Sequence, residues 1–336
     1  MNILPEKFLG KKVVLLGGGG FIGHNLALKL AELGCDVHII DSLQVNNLGS
    51  FSADSQNIKN KEYVNIINER LSLLRANDIS LHVVDCRDYQ ALSSVISNIE
   101  PHAFIQLAAI AHANRSNKDP FSTFDHSFRT LENALDIARN FDSHFVYFSS
   151  SMVYGDFDGE TVKEDRVCEP LGIYGALKFG GEKLVLAYNQ VFGLSYTIIR
   201  PSALYGERCV SRRVGQAFIE NALADKPLTI NGTGEDRLDF TYIGDLVQGV
   251  LRVLCFDSAK NETFNLTFGN GRSINELAGI VKANFPNIVI EYHERDALMP
   301  ERGSLSIEKA KKLLGYTPMF PIEKGFQNYI DWYKSR

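Results

Sequence analysis

Little in this sequence invites a metal, a disulfide framework or a membrane. Its five cysteines, Cys35, Cys86, Cys168, Cys209 and Cys255, are scattered, with no C-x-x-C pair and no His/Cys cluster. That spacing points to no metal site, and most of the thiols read as buried and reduced. No run of about 18 apolar residues occurs, so no membrane span is expected. The opening stretch MNILPEKFLGKK is too polar for a signal peptide. Excess basic charge is missing too: 35 Lys and Arg face 40 Asp and Glu, a net charge of −5. Nucleic acid is therefore not an expected partner. A cytoplasmic protein that handles metabolites is.

What is present is a chain of 336 residues, 45% hydrophobic, long enough for a large core. In its first half, strand and helix signals alternate. Residues 12–17 (KVVLLG), 36–41 (DVHIID), 81–85 (LHVVD), 103–107 (AFIQL) and 144–149 (HFVYFS) read as strands. Helical periodicity lies between them, over 21–33, 89–99 and 123–140. This alternation predicts an α/β fold, a Rossmann-type doubly wound parallel sheet. Residues 42–80 interrupt it with a polar loop that turns into an extra amphipathic helix on the rim; loops of that length are usually functional. Helix 174–192 and strand 194–200 follow. After residue 205 the pattern is mixed, which suits a smaller mixed α/β lobe for a substrate.

Gly17, Gly20 and Gly23 form G-x-x-G-x-x-G between the first strand and the first helix, with Phe21 and Ile22 inside the motif. Such glycines let a pyrophosphate approach the backbone, and the helix N-terminus offers amide donors and partial positive charge. Asp41 ends the second strand 18 residues later, placed to accept from the ribose hydroxyls. A carboxylate there repels a 2′-phosphate, so the expected cofactor is NAD. Asp85 and Cys86, at the end of the third strand, are expected beside the adenine.

Tyr174 and Lys178 form Y-x-x-x-K, 24 residues beyond the serine run 149–151. Alone, the pair proves little. At the start of a helix, however, residues i and i+4 share a face, which brings the ammonium to the phenol. A phenol that normally titrates near 10 needs roughly 4 kcal/mol in favour of phenolate to act as a base near pH 7. Lys178 and a positive nicotinamide ring could supply it. Ser150 would hydrogen-bond the same substrate oxygen.

With these motifs in order, the chain resembles the extended short-chain dehydrogenase/reductases, specifically the nucleotide-sugar epimerases and dehydratases. The matching stretches are LLGGGGFIG (15–23), HIID (38–41), IQLAA (105–109), VYFSSSMVYG (146–155), YGALKFGGEKL (174–184), IIRPSALYGER (198–208), DFTYIGDL (239–246) and KAKKLLGYTP (309–318). The resemblance implies catalytic roles for Ser150, Tyr174 and Lys178, with Leu107, Ala108 and Ala109 along the cofactor. It implies an NAD domain over 1–178, to which 194–200 and 239–257 return, and a sugar-nucleotide lobe over 179–336. It also implies a homodimer through helices 123–140 and 174–192. A nucleotide-diphosphate sugar is the expected partner. Arg208, Arg212, Arg213, Arg237, Arg295 and Arg302 are candidate diphosphate cations, Arg213, Arg237 and Arg302 foremost. His112, Ser151, Met152 and Ser202 are expected against the sugar.

Several residues depart from the family pattern. Ser151-Met152 replaces the Asp-Glu of the 4,6-dehydratases, and a hydroxyl with a thioether cannot do acid and base work at sugar C5 and C6. Gln106 replaces a His, Ala203 a substrate-binding Asn, and Ser127 an Asn that supports the active-site helix. The leading expectation is a nucleotide-sugar 4-epimerase working through a transient 4-keto sugar. The alternatives are a 4,6-dehydratase or 4-dehydrogenase and, in another class, an NAD-binding regulator without turnover.

Overall fold

The computed structural model describes residues 3–53, 57–110, 113–295 and 299–336. Its strands are β1 Lys12–Leu16, β2 Asp36–Ile40, β3 Ser80–His82, β4 Ala103–Gln106, β5 His144–Phe148, β6 Ser195–Arg200, β7 Leu204–Tyr205, β8 Leu228–Asn231, β9 Arg237–Asp239, β10 Thr241–Tyr242, β11 Glu262–Asn265, β12 Gly271–Ser273 and β13 Ile290–His293. Its α-helices are α1 Phe21–Glu32, α2 Leu48–Ser52, α3 Ile58–Ala76, α4 Tyr89–Ser97, α5 Ala113–Lys118, α6 Pro120–Phe124, α7 Thr130–Ala138, α8 Gly172–Phe192, α9 Val214–Leu223, α10 Ile243–Cys255, α11 Ile274–Asn284, α12 Glu308–Leu314 and α13 Ile322–Lys334.

Seven strands form one parallel sheet in the order β11-β6-β5-β4-β1-β2-β3. The central strands are apolar at nearly every position because both faces are covered. On one face, Leu26 and Leu30 of α1, Val250 and Leu251 of α10 and Leu314 of α12 join Val13, Leu15 and Ile105 in a single core. On the other, Leu92 of α4, Leu135 of α7 and Val185 of α8 pack on Val14, Phe104 and Phe145. The chain reverses between β1 and β4. The carboxyl ends of these two strands diverge there and leave the crevice where α/β sheets bind ligands.

The second lobe has its own core, built from Phe218 and Ile219 of α9, Leu277 and Val281 of α11, and Phe326, Tyr329 and Ile330 of α13. The division into lobes is discontinuous. A boundary at 178 falls inside α8, whose Val185 belongs to the sheet core. Strand β6 and helix α10 pack in the sheet lobe, whereas Phe240, just before α10, belongs to the second core. The seventh strand, β11, and helix α12, which the sequence pattern did not mark, also pack in the sheet lobe. The 42–80 segment forms α2 and α3. Helix α3 buries Tyr63, Ile66, Ile67, Arg70 and Leu74 at helical spacing, with Trp332 of α13 against the same cluster. Helix 123–140 is broken by one π turn, Asp125–Arg129.

Candidate active site

The glycine loop is built to touch something. Gly17 has φ +77°, and a Cβ there would stand 2.6 Å from the Ala108 amide nitrogen. A Cβ on Gly23 would stand 2.4 Å from the Gly18 Cα, so only glycine lets α1 start so close to the loop. Asp41 braces this turn: its carboxylate accepts from the Gly19 amide at 2.9 Å and the Leu43 amide at 2.7 Å. Burial pushes its carboxyl above the usual range, and those two amides pull it back. Buried Asn47, from the inserted segment, donates to the Gly19 carbonyl at 3.3 Å.

A cavity of about 170 Å³ runs along this loop. Gly17, Gly20, Phe21, Ile22 and Gly23 line it, as do Asp41, Asp85, Cys86, Leu107, Ala108 and Ala109. All eleven were expected against the cofactor. Asp85 is held by Arg87, whose guanidinium ties it to Asp125 and keeps its carboxyl below the ordinary range. Gln106 donates to the Ala108 carbonyl and to Thr130, fixing the strand end beside the groove. The groove fits a dinucleotide on its own evidence: the loop has no room for a Cβ, and one guanidinium in its wall, that of Arg70, has a buried nitrogen without a partner.

A larger cavity of about 450 Å³ meets the first; Ile22, Leu107, Ala109, Leu204 and Arg213 line both. Ser150, Tyr174 and Lys178 all face it. Lys178 is buried and donates to the Phe148 carbonyl at 2.6 Å, which points its ammonium at the end of β5. Burial pulls its pKa down to about 8, and the Glu182 carboxylate one turn on opposes that fall. The serines divide the work. Ser149 donates to Glu182 at 2.5 Å. Ser150 caps the turn Ser151–Tyr154 by accepting from the Met152 amide at 3.2 Å, leaving its proton to give. The Ser151 hydroxyl is buried without a partner.

Beneath them lies an ion pair that sequence reasoning missed. Arg200 at the end of β6 grips Glu182 with two bonds of 2.8 and 2.6 Å, and both side chains are buried. The Arg200 guanidinium also lies over the Tyr154 ring, whose hydroxyl donates to Asn265 of β11. The signal was available: Glu182 follows Lys178 by four, extending the Tyr174–Lys178 face of α8 by a turn.

Ser151, Met152, Ser202, Arg212, Arg213 and Arg302 line the larger cavity. Arg302 is fastened from both sides. Glu301 donates its amide to Asp156 and accepts from Phe157, while Ser304 and Leu305 bond Gly271 and Asp239. Burial and the neighbouring Arg213 charge push its pKa down to about 10. Arg237 corrects the expectation. It bonds the Gly271 carbonyl, pairs with Glu276 and lines neither cavity. Side chains alternate along β9, so Leu238 takes the cavity face instead. Arg295 pairs with Asp236 and Arg208 with Glu69, both outside the larger cavity. His112 lies outside the described residues. Ala203 lines the cavity with φ +37°, a conformation in which Asn is at home and Ala is not. Ser127 accepts from the Ile110 amide, and it is Asn117 that bonds the Ile173 amide at the start of α8.

The family model for the NAD dependent epimerase/dehydratase family matches residues 13–267. The chain belongs to that family. Over 332 residues it is 31% identical to a Methanocaldococcus jannaschii protein with a provisional UDP-glucose 4-epimerase assignment, covering 96% of this chain and 98% of that one. It is 27% identical to a UDP-glucuronate 4-epimerase of Thermodesulfobacterium geofontis, covering 96% and 95%. A Bacillus cereus UDP-glucuronic acid 4-epimerase, in complex with UDP-glucuronic acid and NAD, shares the fold of this family member with a TM-score of 0.84 at 24% identity, covering 96% and 99%. A Streptomyces venezuelae dTDP-glucose 4,6-dehydratase does so at 0.85 and 22%, covering 96% and 97%.

Proposed function

We propose that this protein is an NAD-dependent 4-epimerase of UDP-sugars. The observation that carries the reading is the meeting of the two cavities: the glycine groove opens beside Tyr174, Lys178 and Ser150. The relatives named as UDP-sugar 4-epimerases support the same reading and the choice of UDP.

Gly17, Gly20, Gly23 and Asp41 would hold the dinucleotide, whose nicotinamide supplies a reversible hydride acceptor. Tyr174 takes the proton of the sugar 4-hydroxyl as the C4–H bond gives up its hydride, and C4–O becomes a carbonyl. Ser150 donates to that oxygen. Lys178, one turn on from Tyr174 along the same face of α8, brings its ammonium to the same cavity. The keto sugar then presents its other face, the hydride returns to C4, and Tyr174 returns the proton to the oxygen. Arg213 and Arg302 hold the diphosphate while the sugar turns. Ser151 and Met152 offer no acid and base for elimination of water. The apolar faces of α6 and α8, including Phe121 and Val191, suit a homodimer. Five free thiols suit the cytoplasm.

The test is to incubate the pure protein with UDP-glucose, UDP-glucuronate and dTDP-glucose in D₂O and follow products by proton NMR. A C4 epimer free of deuterium is expected. A 4-keto-6-deoxy sugar carrying deuterium at C5 would make the protein a dehydratase, and accumulation of a 4-keto product with NADH a dehydrogenase.

A further inference from the structure

The inserted segment carries a charge that the fold itself does not use. Arg70, on the inner face of α3, has no exposed surface. Its Nε and Nη2 donate to the Arg208 carbonyl, yet Nη1 is buried without a partner. Among the described residues no carboxylate comes within ion-pair distance. Asp41 is near enough to be felt but spends its oxygens on Gly19 and Leu43. An orphaned donor on a buried cation is costly, and native structures keep one where a ligand completes it.

The place of Arg70 narrows the ligand. Arg70 lines the groove that holds Gly17, Gly20 and Asp41. Its positive field acts on His24, in the opening turn of α1, and helps keep that buried imidazole uncharged. Arg70 therefore lies near the opening turn of α1, whose Phe21, Ile22 and Gly23 line the same groove. The donor that approaches His24 from the other side is also a cation, Arg208 at 3.3 Å from Nε2, offset by Glu69. The groove is the cavity against which this cluster packs, since Arg70 lines it.

We propose that Arg70 is a pyrophosphate-binding residue, its Nη1 donating to a phosphate oxygen of the dinucleotide at the α1 N-terminus. The inserted segment thereby becomes part of the cofactor site. The proposal rests on the reading of this groove as the NAD site and goes beyond it, since neither the glycine motif nor the strand-end acid requires a cation from α3. Arginine suits the task because its planar fork can brace the Arg208 loop with one edge and meet phosphate with the other. Lysine could not do both.

Calorimetry on protein stripped of nucleotide tests it, with adenosine, AMP, ADP-ribose and NAD as ligands. Arg70→Met is expected to weaken ADP-ribose and NAD about 10- to 100-fold and to leave adenosine within about 2-fold. Arg70→Lys should lose less, again only for ligands with a pyrophosphate. The NAD released per chain on denaturing freshly purified protein should fall in the same order. Equal losses for adenosine and ADP-ribose, or no loss for either, would overturn the proposal. If the variants fail to fold, a structure of the wild-type protein with ADP-ribose decides: Nη1 within about 3.2 Å of a phosphate oxygen is required. Failure of the wild type to bind any dinucleotide would remove the NAD reading itself. Binding that ignores Arg70 would remove only this proposal.

Discussion

At the scale of single residues, the Tyr174 phenol and the Lys178 ammonium make distinct predictions. Tyr174→Phe should lower kcat about 10²- to 10⁴-fold, the usual worth of one positioned proton-transfer group. NAD content should stay unchanged, and the measurement is epimer formation beside nucleotide content. Lys178 should mark the alkaline limb. Its pKa in the fold is about 8, below the ordinary lysine value. Above that pH the ammonium is lost and kcat/KM should decline. Stability should move the opposite way. Between about 8 and the ordinary value near 10.4 the unfolded chain holds a proton that the folded chain has shed, so unfolding becomes harder as pH rises. Thermal melts from pH 7 to 10 check the sign. These two residues were legible in the sequence because i and i+4 meet on any helix. Arg237 was misjudged for an equally local reason: a shift of one residue along a strand changes the face, and here it sends Leu238 to the cavity. Arg70 gave no local signal at all. Its role depends on α3 lying against α1, a contact between segments that the sequence does not pair.

At the scale of elements, α8 works as a rod carrying Tyr174, Lys178 and Glu182 on one face, clamped at its middle by Arg200 from β6. Glu182→Gln should act twice. It leaves a buried guanidinium without its charge partner, which costs about 3–5 kcal/mol. It also removes the carboxylate that props up the Lys178 pKa, so the alkaline limb of the rate profile should move to lower pH. Denaturant melts and a pH–rate profile on the same sample separate the two effects. An unchanged limb would mean that Glu182 only braces the helix. The glycine loop is the other element with a sharp prediction. In Gly23→Ala the new methyl would meet the Gly18 backbone at 2.4 Å, where no side chain can yield. The loop must open, at a cost of about 1–3 kcal/mol, and copurifying NAD should be lost. The strand–loop–helix unit was readable because its glycines, its apolar strand and its acid are contiguous. Of the Glu182–Arg200 clamp only half was readable: Glu182 extends the Tyr174–Lys178 face of α8, whereas its partner Arg200 lies at the far end of the next strand, 18 residues on.

At the scale of the whole molecule, the chain builds one sheet from strands spread over residues 12–265 and hangs the second lobe on the returns. Strands β6 and β11 and helices α10 and α12 belong to the sheet lobe, whereas the stretches between them bring Arg213 and Arg302 to the cavity. This interleaving defeats any single cut in sequence, which is why β11 and α12 escaped notice and a boundary at 178 could not hold. It also leaves exposed apolar side chains on α6 and α8, which lie on the outer side of the sheet lobe beside α5. Phe121 there is 84% exposed and Val191 71%. Side chains of that kind in one layer are what an isologous dimer would bury. Sedimentation velocity should give a dimer, and Phe121→Glu with Val191→Lys should give a folded monomer. Because Asn117 and α5 bond the first turn of α8, beside Tyr174, dissociation should loosen the phenol more than the cofactor groove. The monomeric variant should therefore keep its NAD content while kcat falls. A monomer with full kcat would show that the sheet lobe alone holds the phenol in place, and a wild-type monomer would leave that apolar layer to some other partner.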